Sequence, residues 1–249
     1  MIICRSAAEI EKLRRSGRMV RQVLGEIREQ VRPGLTTLDL EKYVAKRFKE
    51  LGARPAFKGY RGYPCCLCAS VNNEVIHGIP SERRTLKEGD ILSLDTGVVV
   101  DGYYGDSAIT VPVGAISASA ERLMKVTEEA LELAVEKARL GNRLGDVSAT
   151  VQQHAEKNGY SVVREFVGHG IGKAMHEEPQ VPNFGQAGHG PLLKEGMVFA
   201  IEPMLNAGGP AVRVLEDNWT AVTVDGGLSA HFEHMVAVTR NGPDVLTRL

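Results

Sequence analysis

The sequence has no excess of either charge and no long apolar run, and each absence argues against a class of protein. Its 249 residues include 30 Lys and Arg against 31 Asp and Glu, which gives a formal net charge of −1. Proteins that bind nucleic acids or anionic membranes normally carry a basic excess, so neither partner is predicted. The apolar runs are far shorter than the roughly 20 residues of a membrane-spanning helix. No secretory signal pattern precedes the first helical segment.

Cysteine is scarce, and its spacing suits neither a disulfide framework nor a structural zinc site. Three of the four cysteines, Cys65, Cys66 and Cys68, lie within four residues, and Cys4 stands alone. No second cluster exists to pair with them or to complete a zinc knuckle. The composition, 43% hydrophobic and 24% charged, is typical of a globular protein. A reducing, cytoplasmic environment is therefore predicted.

The first part of the chain reads as two helices followed by strands. Ser6 with Glu9 forms a capping-box pattern, and apolar residues at helical spacing follow until Pro33-Gly34. A second helix is predicted from near Thr37 to Leu51. Residues 65–113 are rich in strand-forming residues punctuated by Gly and Asp.

The second part of the chain repeats that order of elements. Helices are predicted from about 117 to 140 and from Asp146 to Asn158-Gly159, and strands follow. The repeat is in element order rather than in residue identity. An α+β fold is therefore predicted as a single domain over 1–249, with pseudo-equivalent halves of about 1–115 and 116–249. A functional site is expected at the seam between the halves.

Four acidic residues fall inside predicted strands. Asp101-Gly102 reads as a two-residue hairpin turn, which places residue 97 opposite Asp106 and brings Asp95 onto the same face. Glu202 ends an apolar strand before Pro203, and Glu233 lies inside a strand predicted to run through residues 228–239. A buried carboxylate without a partner is costly, so a salt bridge from elsewhere or a bound cation must accompany such residues. A cation explains all four together.

His169 adds an imidazole to this acidic set. It lies in Gly168-His169-Gly170-Ile171-Gly172, whose spacing matches neither a dinucleotide fingerprint nor a phosphate loop. Four carboxylates with one histidine suit two divalent ions such as Mn²⁺, Co²⁺, Fe²⁺ or Zn²⁺ better than a closed structural zinc site. His154 and His189 are interpreted as structural or surface residues, and His231 and His234 as structural or supporting.

Five separated segments of the chain stand out together: NNEVIHGIP, DTGVVVDGYYGDSA, GHGIGKAMHEEPQV, AIEPMLNAG and HFEHMVAV. In their order and spacing they resemble the motif series of the type I methionine aminopeptidases. The resemblance covers nearly the whole chain and is closest to the short bacterial form. It implies the pita-bread fold, in which two pseudo-symmetric αα/ββ halves surround a curved antiparallel sheet.

The resemblance also implies the ligands of two metal ions. Asp106 and Glu233 would bridge the ions, Asp95 would bind the second ion, and His169 with Glu202 would bind the first. The implied reaction is removal of an N-terminal methionine from nascent chains at the ribosome, with a metal-bridging hydroxide as nucleophile. A monomeric enzyme is expected.

Further roles follow from the same resemblance. His176 would hydrogen-bond the scissile group, His77 would assist proton transfer, and Glu202 would also shuttle protons. The methionine side chain would enter an apolar slot lined by Tyr60, Tyr63, Cys68, Met175 and Trp219. Many relatives carry Phe where this chain has Met175, so the slot stays apolar while its shape changes.

Three alternatives remain at this point. A proline-specific relative such as aminopeptidase P or prolidase has the same fold, usually with an extra N-terminal domain. A non-catalytic peptide-binding module would lack several ligands, whereas all five are present here. A nucleophilic pair of Cys66 or Cys68 with His77 would leave the carboxylates unexplained.

Overall fold

The computed structural model describes residues 1–248, so Leu249, at which the predicted domain ends, lies outside the described residues. The helices within this range are α1 (Ala7–Arg28), α2 (Thr37–Glu50), α3 (Ala118–Val135) and α4 (Leu144–Lys157). A short 3-10 turn covers Tyr60–Gly62. Within residues 1–248, no helix combines the length and the apolarity that a membrane crossing requires.

Local capping sets where the helices begin. The Ser6 hydroxyl accepts from the Glu9 N–H at 3.4 Å, while the Glu9 carboxylate accepts from the Ser6 N–H at 3.0 Å, as the capping-box pattern predicts. Thr36 and Asp39 form the same arrangement ahead of α2. The second helix thus starts where it is predicted to start.

Two predicted helix ends are wrong because the final turns tighten early. Helix α1 ends at Arg28, short of Pro33, and the next turn closes through Gln30 N–H to the Ile27 carbonyl at 2.9 Å. Helix α3 ends at Val135, short of Leu140, where Lys137 N–H donates to the Ala134 carbonyl at 3.0 Å. Such i to i−3 bonds satisfy the carbonyl groups left over at a helix end.

The strands are short except for one long hairpin. In chain order they are β1 (Arg54–Pro55), β2 (Leu67–Val71), β3 (Glu74–Ile76), β4 (Ile91–Val100), β5 (Tyr103–Pro112), β6 (Ser161–Val162), β7 (Gly168–Gly170), β8 (Glu177–Val181), β9 (Val198–Ile201), β10 (Met204–Asn206), β11 (Val212–Val214), β12 (Ala221–Thr223), β13 (Ser229–His231), β14 (His234–Thr239) and β15 (Gly242–Val245). All their pairings are antiparallel.

Hydrogen bonding groups these strands into four sheets within the described residues. Strand β4 pairs with β5 on one edge and with β1 and β2 on the other, and β11-β12-β3 and β13-β10-β6 form two further sheets. The fourth sheet has the order β15-β14-β9-β7-β8. The resemblance implies one curved antiparallel sheet. In this structure the strand pairing is interrupted between β9 and β10 and between β13 and β14. Helices α1 to α4 contribute buried apolar residues to a core shared with these sheets.

The β4–β5 hairpin has the predicted register. Its turn, Asp101-Gly102, has φ of 51° and 78°, the left-handed values that a tight two-residue turn needs. Gly97 pairs with Asp106, and Asp95 pairs with Ala108. Asp95 and Asp106 therefore share one face of the hairpin as diagonal neighbours.

Glu202 and Glu233 lie at two interruptions of the strand pairing, one between β9 and β10 and the other between β13 and β14, and these two breaks face each other. Ile201 pairs with His234 and Met204 with His231, so Glu202-Pro203 lies opposite Phe232-Glu233. Pro203 has no N–H for the ladder, and the Glu233 N–H donates instead to the Ala108 carbonyl of β5 at 2.9 Å. The predicted continuous strand over 228–239 is therefore wrong at residues 232–233, and Glu233 lies in the break.

Candidate active site

One cavity is lined by all the residues predicted to bind metal, to assist catalysis or to contact the methionine side chain. The hairpin supplies Asp95 and Asp106, the strand breaks supply Glu202 and Glu233, and β7 supplies His169. None of these five residues exposes more than 7% of its surface. The cavity wall also includes the other predicted residues: His77, His176, Tyr60, Tyr63, Cys68, Met175 and Trp219.

The five candidate ligands converge in the cavity, and three of them, Asp106, His169 and Glu233, lie close enough together to hold one ion. Each of these three offers one ligand atom, and the three atoms lie within 4.8 Å of one another. His169 Nε2 lies 3.9 Å from Asp106 Oδ2 and 3.5 Å from Glu202 Oε1. Asp95 is the diagonal neighbour of Asp106 on the hairpin, and its charge contributes to the raised pKa of Asp106. The geometry thus gives a compact, oxygen-rich set with one imidazole.

The carboxylates of this set have no cationic side chain to neutralise them. Within residues 1–248, the basic side chains whose nitrogen lies within 4.0 Å of these carboxylate oxygens are the histidines His169 and His231. Asp95 Oδ1, Asp106 Oδ1 and Glu233 Oε1 are buried without a hydrogen-bond partner. Buried carboxylates normally pair, bind a metal or take up protons. This donor set therefore fits divalent cations, which accept carboxylate oxygen and imidazole nitrogen.

Burial changes the acidity of the whole set. It raises the pKa of Asp95 to about 7. Burial first, and then the neighbouring charges of Glu233 and Asp95, raise the pKa of Asp106 well above its ordinary value. The pKa values of Glu202 and Glu233 rise for the same two kinds of cause. A metal that binds here must therefore displace protons.

His169 presents one defined nitrogen to the cluster. Its Nδ1–H donates to the Gly170 carbonyl at 3.1 Å, which leaves the lone pair on Nε2 facing the carboxylates. Burial, with a smaller contribution from His176, lowers the pKa of His169 to about 3. The ring is thus held neutral in the tautomer that a metal ligand requires.

His176 lies at the mouth of the cluster, beside His169. The two rings are 4.2 Å apart, and His176 also stacks on Tyr60 with a ring separation of 5.3 Å. The Tyr60 hydroxyl is 2.8 Å from His176 Nδ1. Burial, and then the charge of Arg61, lower the pKa of His176. The second nitrogen of a neutral His176 is left free for a substrate.

His77 lies on the opposite wall with an unusual backbone. Its φ is 61°, a left-handed value that is rare for a residue with a side chain. Its ring meets Phe166 and Trp219 edge-on at 5.6 and 5.9 Å. Burial, and then His176, lower the pKa of His77 to about 4, so this ring too is neutral.

An apolar slot adjoins the acidic cluster. Tyr63, Cys68 and Met175 are buried in one apolar group, and Tyr60 and Trp219 pack against it half-buried. The Tyr63 hydroxyl donates to the carbonyls of Leu67 and Gly78, at 3.0 and 3.2 Å, which fixes the ring. All five residues predicted for the methionine slot thus lie together.

Several lining residues were not predicted from the sequence. They are Phe57, Arg61, Ile76, Phe166 and Val167. Phe166 and Val167 lie just before the His169 motif, and Arg61 lies between the two predicted tyrosines, so closeness to the motifs was the available signal. His231, interpreted as structural or supporting, is fully buried with Nε2 3.8 Å from Glu202 Oε2.

The alternative nucleophilic cysteine receives no support from the geometry. Cys66 N–H donates to the buried Glu41 carboxylate at 2.9 Å, and burial with that charge raises the pKa of its thiol to about 12. Burial and Asp95 likewise raise the pKa of the Cys68 thiol. Both thiols stay protonated near neutral pH and are weak nucleophiles.

Comparisons with known proteins agree with this geometry. The model of metallopeptidase family M24 matches residues 11–240. The chain is 50% identical over 247 residues to a methionine aminopeptidase of Clostridium acetobutylicum, covering 99% of both chains. It is 48% identical over 249 residues to methionine aminopeptidase 1 of Bacillus subtilis, covering 100% of both.

Solved structures give the same result for the fold. A methionine aminopeptidase from Thermotoga maritima matches with a TM-score of 0.98 and 47% identity over 100% of both chains. A prolidase from Pyrococcus horikoshii shares the fold at a TM-score of 0.80 and 23% identity, and this chain covers 64% of it. The predicted α+β pita-bread fold is thus confirmed.

Proposed function

The chain belongs to metallopeptidase family M24, and we propose that it acts as a methionyl aminopeptidase that hydrolyses the first peptide bond of chains beginning with Met. The predicted resemblance to the type I enzymes is confirmed by full-length relatives. The observation that carries the proposal is one cavity in which a buried acidic cluster adjoins an apolar slot, with His77 and His176 on its walls.

The proposed cofactor is a pair of divalent ions, Co²⁺, Mn²⁺, Fe²⁺ or Zn²⁺. Asp106 and Glu233 would be shared by the two ions, His169 and Glu202 would complete one site, and Asp95 the other. When bound, such ions polarise a carbonyl group and make water acidic enough to supply a nucleophile at neutral pH. Their shared role is supported by the closeness of Asp106 and Glu233 to His169 and by the position of Asp106 beside Asp95 on the hairpin.

The histidines would orient and stabilise the substrate. A Tyr60 hydroxyl that donates to His176 Nδ1 keeps the His176 proton on Nε2, from which it would donate to the scissile group. Charge that develops on the carbonyl oxygen is stabilised by such a fixed donor. His77, neutral on the opposite wall, would contact the same region and assist proton transfer.

Glu202 is suited to carry a proton between the water and the leaving amine. It is buried in the cavity, and its Oε1 lies 3.5 Å from His169 Nε2. A group that transfers a proton must lie within hydrogen-bond reach of that proton, directly or through one water. Asn183 donates to the backbone carbonyl of Glu202 at 3.2 Å and so fixes the position of this residue.

The slot and the cluster together would limit cleavage to the first residue. A methionine side chain would fill the space among Tyr63, Cys68 and Met175, and its free α-amino group would lie beside Asp95. The substrates proposed are nascent chains at the ribosome in the cytoplasm, processed by a monomeric enzyme. The balanced charge supports neither nucleic-acid nor membrane binding.

Peptide cleavage with controlled metal content tests the proposal. We expect Met-Gly-Met-type peptides to be cleaved, Xaa-Pro peptides to be left intact, and a chelator to abolish turnover until metal is added back. Metal analysis of protein purified without added metal gives the stoichiometry and identity. Preferred cleavage of Xaa-Pro peptides would identify a proline-specific enzyme. Equal peptide binding by stripped and loaded protein, without cleavage, would identify a binding module.

A further inference from the structure

We propose that Arg5 is a positioning residue for the cavity, because through Glu177 it fixes the segment 172–177 that presents Met175 and His176. The inference rests on the proposed function, in which those two side chains bind and orient the substrate. Arg5 lies outside the cavity and touches none of the candidate metal ligands among the described residues. Its effect must therefore pass through another residue.

Residues 172–176, which include Met175 and His176, belong to no β-strand. Residues 172–176 form a bend between β7 and β8. The bend is held by a side chain: Glu177 Oε1 accepts from the N–H groups of Lys173 and Ala174, at 2.9 and 3.0 Å. Without this carboxylate, two backbone donors of the bend would have no partner among the hydrogen bonds of the described residues. The shape of the bend therefore depends on where Glu177 is held.

Arg5 holds the second oxygen of Glu177. Its guanidinium donates to Glu177 Oε2, and the two side chains are only 5% and 12% exposed. Arg5 Nη1 also lies 3.6 Å from Glu9 Oε1. One carboxylate thus bridges a buried cation and the bend. Removing the cation would leave a poorly solvated charge, which is far more costly than losing an exposed ion pair.

The backbone of Arg5 is itself fixed to the body of the protein. Its N–H donates to the Gly196 carbonyl at 2.7 Å, and the preceding Cys4 forms a bridge with Met197. Arg5 also directly precedes Ser6, the residue that caps α1. The guanidinium therefore projects from a rigid point, as a positioning residue requires.

The absence of a side chain at Gly172 leaves space beside the bend for the Arg5 guanidinium. A Cβ atom on Gly172 would lie 2.1 Å from Arg5 Nη2 and 2.6 Å from Cζ, so a side chain there would displace Arg5. On its other side, the Gly172 carbonyl accepts from the Tyr104 N–H at 2.8 Å. Gly172, at the start of the bend, thus lies against Arg5 and is hydrogen-bonded to β5. Contact at both Gly172 and Glu177 indicates that Arg5 organises the bend as well as tying down the N-terminal segment.

Four variants separate positioning from general stability. Arg5→Met and Glu177→Gln each break the bridge, the double variant tests their coupling, and Arg5→Lys keeps the charge. Arg14→Met is the matched control, because Arg14 pairs α1 with Asp244 at 2.5 Å and does not contact the bend. Measurements are kcat and KM on a Met-Gly-Met peptide, bound metal, the unfolding midpoint, and hydrogen exchange of the Lys173 and Ala174 amides in metal-free protein.

We expect Arg5→Met to lower kcat/KM about tenfold or more, with bound metal unchanged, because a small displacement of catalytic groups is that costly. The Lys173 and Ala174 amides should exchange faster by about the same factor. Arg5→Lys should restore most of both quantities. Glu177→Gln should resemble Arg5→Met, and the double variant should be no worse than either single variant. Arg14→Met should lower the unfolding midpoint without changing kcat/KM or the two amides.

Other outcomes would overturn the inference. Three results would contradict it: unchanged exchange of the Lys173 and Ala174 amides in Arg5→Met, additive losses of kcat/KM in the double variant, or an equal loss of kcat/KM in Arg14→Met. Fast exchange with normal kcat/KM would also contradict it, because the bend would then not position the substrate. A wild-type protein that cleaves no Met peptide would refute the proposed function instead, and the amide exchange would still decide whether Arg5 orders the bend.

Discussion

The side chain of Ser107 donates a 2.7 Å hydrogen bond to the backbone carbonyl of Glu233. Beside it, the Glu233 N–H donates to the Ala108 carbonyl at 2.9 Å. The two residues that follow Asp106 in β5 thus hold both backbone groups of Glu233. These two hydrogen bonds bring Asp106 and Glu233, the two proposed shared ligands, close together although they are distant in sequence.

We expect Ser107→Ala to weaken metal binding as well as the fold. The substitution leaves the buried Glu233 carbonyl without this donor, which costs about 1–3 kcal/mol of unfolding free energy. Glu233 should then be held less firmly, and metal affinity measured by titration calorimetry should fall. Ser16→Ala is the matched control, because the buried Ser16 hydroxyl bonds only within α1, to Lys12 and Leu13. Equal metal affinity in both variants would contradict the role of Ser107.

Replacing Glu233 by Gln should have opposite effects on the stripped and the loaded protein. In metal-free protein at pH 8.0 it removes a buried carboxyl that burial and its acidic neighbours make costly to ionise, so the free energy of unfolding should rise by about 1 kcal/mol or more. With metal present, the variant should bind fewer than two ions, lose turnover and gain less stability from added metal. Denaturant unfolding with chelator and with Mn²⁺ measures both effects. Asp106→Ala should likewise lose turnover, and two ions retained in either variant would count against a shared ligand.

The pH dependence of metal-free protein follows from the same carboxyl groups. Burial raises the folded pKa of Asp95 to about 7 and those of Asp106, Glu202 and Glu233 above their ordinary values. Between pH 6.5 and 8.0 the folded state therefore binds more protons than the unfolded state, so stability falls as pH rises. The buried histidines oppose this fall near pH 6.5, because they are neutral in the folded state while an unfolded histidine has a pKa of about 6.5; their contribution fades towards pH 8.0.

We expect the free energy of unfolding of stripped protein to drop by about 1 kcal/mol or more across this interval. Asp95→Asn should flatten the slope, since its titration lies inside the interval. Metal-loaded protein should show no such fall, because the ions hold the carboxylates ionised. Denaturant titrations at pH 6.5, 7.25 and 8.0 measure the slope, and a stability that rises with pH in stripped protein would refute the assignment.

Local signals in the sequence predicted the elements that local chemistry controls. The caps at Ser6 and Thr36 fixed the starts of two helices, and Asp101-Gly102 fixed the register that sets Asp95 beside Asp106. A two-residue turn allows only one pairing register. The positions of Asp95 and Asp106 relative to each other therefore follow from the number of residues between each of them and the turn. The division into halves of 1–115 and 116–249 and the role of each site residue stay predictions.

Features that depend on distant partners could not be read from the sequence. The break at Phe232-Glu233 exists because Glu233 bonds to β5 rather than to the strand opposite it. Nothing near Arg5 indicates that its partner is Glu177, since the pairing depends on the assembled fold. Phe57 and Phe166 line the cavity through the same kind of long-range packing.

Removing the Tyr60 hydroxyl should change the chemistry more than substrate affinity. Tyr60→Phe keeps the ring stacked on His176 but loses the 2.8 Å bond to Nδ1, through which the Tyr60 hydroxyl is proposed to set the His176 tautomer. We expect kcat to fall by about tenfold, as for other partners that orient a catalytic histidine, with KM changed little. His176→Ala should lower kcat further without loss of metal. Tyr43→Phe is the control, since its hydroxyl bonds to Glu26 between α1 and α2.

Met175 should set how strongly the slot prefers methionine. It is buried against Tyr63 and Cys68, so Met175→Ala would remove much of one wall and leave the substrate side chain partly solvated. One extra or missing methylene group in a hydrophobic pocket already changes kcat/KM by about 10- to 200-fold. We therefore expect kcat/KM for Met-Gly-Met to fall by about that range, and discrimination against bulkier first residues to fall with it. Metal content should stay unchanged, and Met19→Ala, a half-buried methionine of α1, should leave all three quantities at the wild-type value. A Met175→Ala enzyme with undiminished preference for methionine would place the substrate side chain elsewhere in the cavity.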